Sequence, residues 1–144
     1  MQRMSATFHR IAILDDELQM RKAIARLLHC HGHQTKPFAT GLSLLEAIEA
    51  HEEFHAILLD LHMPGLNGFQ VLERLSHLAH RPAVIVITGK DEPGNAQKAR
   101  ELGACSYLLK PIPESVLLNA IEQASETCNL PLPALNEGSI SSKC

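Results

Sequence analysis

The chain reads as an α/β domain: a parallel sheet with helices on both faces. Three observations predict this. Short, continuous apolar runs recur along the chain, too short for helices and suited to strands covered on both sides. Between them lie stretches whose apolar residues repeat at the helical period. The two patterns alternate strand–helix five times over, and strict alternation implies crossover connections between parallel strands.

The elements follow in order. Ile11–Leu14 forms the first strand, and Met20, Ile24, Leu27 and Leu28 place one apolar face on the first helix. His33–Phe38 is a more polar strand, expected near an edge, and the second helix carries Gly41, Leu44, Leu45 and Ile48 on one face. Ala56–Leu59 is the third strand, followed by a helical stripe of Val71, Leu72, Leu75 and Leu78. Ala83–Ile87 is the fourth strand. The fourth helix, about Pro93 to Leu102, has only Ala96, Ala99 and Leu102 as its apolar face and is expected to move most easily. Tyr107–Leu109 is the fifth strand, and Val116, Leu117, Ala120, Ile121 and Ala124 line the last helix. The punctuation agrees: Thr40 and Asn67 suit N-caps, Pro113 suits a first helical turn, and Gly32 and Gly103 follow the first and fourth helices.

Composition narrows the function classes. At 144 residues, with 45% hydrophobic and 20% charged, the chain suits one soluble domain that needs no metal or disulfide to fold. A formal charge of −3 gives no basic excess for direct nucleic-acid binding. No apolar run reaches the length of a membrane span, and the first ten residues lack the apolar core of a signal peptide, so a cytoplasmic address is expected. The four cysteines show no CxxC spacing, which argues against a disulfide scaffold or a zinc ribbon. Aromatics at 3% leave little for a base- or sugar-stacking surface.

In such sheets, ligands bind beyond the carboxyl ends of the strands. The first strand ends in Asp15-Asp16-Glu17, the third in Asp60, the fourth in Thr88-Gly89 and the fifth in Lys110-Pro111. Each has an ordinary reading alone: Asp16 could cap a helix, Thr88 could hold a turn, and Lys110 could be solvated. Asp60 is harder to dismiss, because it follows an apolar run and an unpaired buried carboxylate is costly. Together they form a chemical set. Two carboxylates at ~5 Å repel by about 3 kcal/mol at an effective dielectric of ~20. A hard divalent cation removes that cost and neutralises a phosphoryl group in transfer, while a lysine and a hydroxyl hold its other oxygens. A carboxylate can serve as the covalent acceptor.

These residues resemble a known family. Ile11–Asp16 with its acid pair, Leu58-Leu59-Asp60-Leu61-His62-Met63-Pro64-Gly65-Leu66-Asn67-Gly68, Val86-Ile87-Thr88-Gly89 and Tyr107-Leu108-Leu109-Lys110-Pro111 look like the receiver domain of two-component response regulators, in order, over about Arg10 to Glu126. The resemblance implies a flavodoxin-like sheet of five parallel strands in the order 2-1-3-4-5. It makes Asp60 the phosphoacceptor. Asp15, Asp16, Asp60 and the backbone carbonyl of His62 become ligands of Mg2+ (or Mn2+). Thr88 becomes the switch hydroxyl, Lys110 the phosphoryl-pairing base with a cis bond to Pro111, and Tyr107 the aromatic that turns with Thr88. Partners would be a histidine kinase or histidine phosphotransfer protein on one side, and a downstream protein or a missing output domain on the other, with a homodimer possible on phosphorylation. The domain is not expected to be an enzyme in the ordinary sense, only to support its own phosphorylation and slow dephosphorylation. Family members often have Asp at the position of Asn67 and Phe at that of Ile112. His62 and Lys90 stand at variable positions that flank the site mouth and are expected to tune phosphoryl lifetime, with Lys90 shielding.

Other readings stay beside this one. An aspartyl-phosphate phosphatase usually has a second acid two residues after its nucleophile, where this chain has His62, and the length leaves no room for a cap domain. A phosphorylation-independent pseudo-receiver, or an input domain cut from a longer DNA-binding regulator, remains the alternative function. His29-Cys30-His31-Gly32-His33 matches no common zinc spacing, and histidines near a helix C-terminus are favourable anyway. Residues 8–126 are read as the domain and 127–144, rich in Pro, Gly and Ser, as a linker or tail, with Leu130, Leu132 and Leu135 as its few apolar anchors.

Overall fold

The structure, a computed structural model, describes residues 9–129, with side chains described through Ala124. The elements run β1 (Arg10–Leu14), α1 (Leu18–Cys30), β2 (Gln34–Phe38), α2 (Gly41–Glu49), β3 (Ala56–Asp60), α3 (Gly68–Leu75), β4 (Ala83–Thr88), α4 (Asn95–Glu101), β5 (Ser106–Leu109) and α5 (Glu114–Asn129). All strand pairs are parallel, and the sheet order is β2-β1-β3-β4-β5. The predicted alternation gives the parallel sheet it implies, and the strand order is the one the family resemblance implies. Among the described residues, no helix is long and apolar enough to cross a membrane.

Alternating strand residues feed two cores. Ala12, Leu14, Ile57, Leu59, Val84 and Val86 face α2, α3 and α4, while Ile11, Ile13, Leu58, Ile85 and Ile87 face α1 and α5. Every residue of β3 and β4 is buried. Burial on both faces explains why these strands read as unbroken apolar runs. The weaker strand, β2, lies at an edge as expected and tolerates Pro37 within it.

The caps hold as read. Thr40 Oγ1 accepts from the Ser43 amide at 3.1 Å, and Asn67 and Gln70 form a reciprocal capping box. Gly32 and Gly103 adopt positive φ, 87° and 106°, after α1 and α4. Two details differ from the sequence reading. The N-cap of α1 is Glu17, whose side chain makes no capping bond, so Asp16 does not cap it. Leu78 falls outside α3: the helix ends at Leu75 with Ser76 as its C-cap, whose hydroxyl donates to the Glu73 carbonyl at 2.6 Å, and Leu78 packs on the core from the following turn.

α4 is the least anchored helix. It is shorter than expected, its N-cap is Gly94 with no side-chain cap, and only Ala99 of its residues is buried. Lys98 adds a cation–π contact, 4.6 Å above the Phe69 ring of α3. α5 extends to Asn129, past the boundary expected at 126, and the remainder of the expected tail lies outside the described residues.

Candidate functional site

The five-stranded topology brings Asp15, Asp60, Thr88 and Lys110 to one end of the sheet, each at or just past the end of a strand. Asp15, Asp60 and Thr88 are buried, and Asp16 is exposed at the rim. One carboxylate oxygen from each of Asp15, Asp16 and Asp60 lies within 4.8 Å of the others. Among the described residues this is the one group of three His, Cys, Asp or Glu side chains so converged. An all-carboxylate donor set suits a hard divalent cation such as Mg2+.

The buried carboxylates are individually held. Asp15 Oδ1 accepts from the Glu17 amide at 2.9 Å, and its Oδ2 accepts from Lys110 Nζ at 2.9 Å. Asp60 Oδ1 accepts from the His62 amide at 3.1 Å, while Lys110 Nζ lies 3.5 Å from Asp60 Oδ2. Burial raises the Asp60 carboxyl above its ordinary value and the Asp15 charge adds to this, against the opposing pull of the His62 amide and Lys110. For Lys110, burial pulls downward, but the hydrogen bond to Asp15 and the charges of Asp60 and Asp15 outweigh it, and the net shift is upward. Lys110 is therefore a fixed cation. Its peptide bond to Pro111 is cis.

Thr88 is tied to its own loop. Its hydroxyl donates to the Lys90 carbonyl and accepts from the Lys90 amide, both at 3.1 Å. The Tyr107 hydroxyl donates to Asp91 Oδ1 at 3.0 Å. Burial and the Asp91 carboxylate raise its pKa, which keeps it a donor. The Lys90 ammonium points away, 3.6 Å from Glu92 on a side chain 72% exposed. The main chain of Lys90, not its charge, faces Thr88. His62 Nε2 lies 3.3 Å from the same Lys90 carbonyl.

Several supports were not singled out from the sequence. Arg21 Nη1 donates to the Asp15 carbonyl at 2.7 Å, and no sequence signal marks it. Gly68 starts α3 against the end of β3: a Cβ there would stand 2.5 Å from Leu61 Cα and 2.7 Å from the Asp60 carbonyl oxygen. Its place directly after an N-cap Asn was the available clue. The His29–His33 segment does not gather its side chains. His29 meets Thr35, His31 lies 4.0 Å from Glu114, and His33 stacks on His9, 5.5 Å between ring centres. His9 in turn meets the His55 ring edge-on at 5.0 Å. These imidazoles precede β2, β1 and β3, at the opposite end of the sheet from Asp60.

The geometry has clear relatives. The family described as the response regulator receiver domain matches residues 11–122. This chain belongs to that family. As a receiver it is 36% identical to protein PilH of Pseudomonas aeruginosa, over 78% of this chain and 93% of that protein. It is 29% identical to sporulation initiation phosphotransferase F of Bacillus subtilis, over 79% and 91%. Other relatives are longer: this chain spans 44% of protein MrkE of Klebsiella pneumoniae and 58% of transcriptional regulatory protein FixJ of Rhizobium meliloti, at 31% and 32% identity. Among solved structures, a CheY-like receiver from Methanospirillum hungatei JF-1 matches with a TM-score of 0.79 at 27% identity, covering 85% of this receiver and 97% of that chain. The chain is thus a response regulator receiver of two-component signalling, with the strand order such receivers have.

Proposed function

We propose that this receiver accepts a phosphoryl group on Asp60 from the phosphohistidine of a histidine kinase or histidine phosphotransfer protein. The observation that carries this reading is the convergence of the Asp60 carboxylate with those of Asp15 and Asp16, beside Lys110. In the transfer an Asp60 oxygen forms the new O–P bond, the N–P bond breaks, and the histidine nitrogen leaves with its electron pair. Asp15, Asp16, Asp60 and the His62 carbonyl would hold Mg2+ or Mn2+. Bound there, the cation offsets the carboxylate repulsion and neutralises charge on the phosphoryl oxygens.

The chain's own residues do the rest. Burial holds the Asp60 carboxylate in a dry setting, and the His62 amide fixes its Oδ1. Lys110 is positioned to pair with a phosphoryl oxygen, and the Thr88 hydroxyl to exchange the Lys90 carbonyl for another. Tyr107 and the lightly anchored α4 then shift, and the surface around α4 and β5 changes its partner preference. This is a population shift, so the phosphoryl group must favour the switched state. The output would be carried by a partner protein or a further domain. The test is phosphoryl labelling from acetyl phosphate or phosphoramidate. Label should appear at Asp60, require a divalent cation, and vanish in Asp60→Asn; full labelling of that variant would refute the assignment.

A further inference from the structure

His62 makes two contacts that no other described residue combines. Its amide donates to Asp60 Oδ1 at 3.1 Å, and its ring Nε2 lies 3.3 Å from the Lys90 carbonyl oxygen. A carbonyl only accepts, so in this bond Nε2 is the donor, as it is in the Nε2–H tautomer of the neutral ring and in the imidazolium. The second donor to that oxygen is the Thr88 hydroxyl, at 3.1 Å. A continuous chain of hydrogen bonds therefore joins Asp60 to Thr88 through His62 and the Lys90 main chain.

We propose that His62 is a positioning residue: its imidazole braces the β4–α4 loop against the β3–α3 loop, and so sets how readily the Thr88 hydroxyl leaves its resting acceptor. With two donors on it, the Lys90 carbonyl is fixed in place, and the amide of Lys90 is held against Thr88 Oγ1 at 3.1 Å. Without the imidazole the Lys90 carbonyl keeps only the Thr88 hydroxyl as donor, and the resting arrangement loses population to the switched one. The side chain of Lys90 has no part in this, because its ammonium is turned to Glu92. The inference rests on the phosphoacceptor reading only for the meaning of the switched state; the brace itself belongs to the resting protein.

The test measures amide-exchange protection at residue 90 in the unphosphorylated, metal-free protein. Wild type is compared with His62→Ala, His62→Gln and Lys90→Ala. Glutamine places an amide N–H near the reach of Nε2, and Lys90→Ala keeps the carbonyl. Protection should fall about fivefold in His62→Ala, the ratio set by a net hydrogen bond of about 1 kcal/mol, and hold in the other two. Unchanged protection in His62→Ala, or a glutamine variant as unprotected as the alanine, would overturn the brace. A second arm follows the Thr88 and Lys90 amide resonances on adding magnesium and beryllofluoride. In His62→Ala the starting positions should already lie part-way toward the wild-type endpoint, and starting positions equal to wild type would count against the brace. Wild-type resonances indifferent to beryllofluoride would refute the phosphoacceptor reading instead, leaving the exchange result to decide the brace.

Discussion

Lys110 and Asp15 form the tightest ion pair of the site: Nζ donates to Oδ2 at 2.9 Å across 95 positions of sequence, while Asp60 lies farther from the same ammonium, at 3.5 Å. The resting cation is thus bound chiefly to the pocket carboxylate, and Asp60 keeps an oxygen less engaged. Lys110→Met should strip two buried carboxylates of their partner. The expected loss in metal-free protein is about 3 kcal/mol, at the low end for breaking a buried pair, because the lysine is 17% exposed and water reaches it. Urea unfolding checks this, and added magnesium should recover part of the loss. A variant as stable as wild type would mean the pair contributes nothing.

Asp60 is disfavoured as an anion by its burial and by Asp15. With a raised carboxyl pKa, stability falls as pH rises above the ordinary carboxyl value, and the full cost is present once pH exceeds the folded value. Asp60→Asn removes that cost, so the metal-free variant should melt above wild type at neutral pH. Wild type should gain about 1.4 kcal/mol from magnesium at ten times its dissociation constant, and the variant less. Melting curves with magnesium or chelator decide it; indifference in both proteins would show that the carboxylates do not share a cation.

Acid should weaken the opposite end of the sheet. His9 and His33 are held below the ordinary imidazole value of 6.5, first by burial and then by neighbouring imidazoles, with Glu122 opposing at His33. Their Nδ1 atoms are buried without a hydrogen-bond partner among the described residues. The unfolded chain takes up protons below about pH 6.5 while the fold resists. Stability is therefore full above that value and falls as pH drops toward the folded pKa values. Urea midpoints between about pH 7.5 and pH 5 should fall, and less steeply in His9→Phe; equal slopes would show that His9 is not held neutral.

Gly68→Ala would place a methyl 2.5 Å from Leu61 Cα and 2.7 Å from the Asp60 carbonyl oxygen. Both obstacles are backbone, so β3 and α3 must part, at a cost of about 1–3 kcal/mol. Because the shift starts at Asp60, metal affinity should drop as well. Unfolding curves and magnesium titration measure the two effects; a variant with unchanged stability would mean the helix start absorbs the methyl freely.

The fold was legible because its strands are buried on both faces. Ala56–Leu59 and Ala83–Ile87 could be nothing but apolar, and helical stripes between them left one topology class. Asp60 was legible for the same reason, as a carboxylate directly after such a run. What stayed hidden depended on rotamers and on backbone approach. The sequence reading put the Lys90 ammonium over the site mouth, whereas here it turns to Glu92 and the main chain of Lys90 meets Thr88 and His62. The contact between His9, His33 and His55 joins residues distant in sequence, set by strand pairing that no local pattern encodes.

The proline in β2 also decides how copies of this fold can meet. The Gln34 amide and the Phe38 carbonyl bond to the strand β1 side, so residues in step with them face β1, and Thr35 and Pro37 turn their main chain to the open edge. Pro37 has no N–H, and an incoming strand would find a single amide donor from β2 there. Strand addition on this side is disfavoured, since Thr35 alone of β2 offers an amide there. The proline thus biases association of this receiver, with itself or with a partner, toward its helices, its loops and the β5 edge.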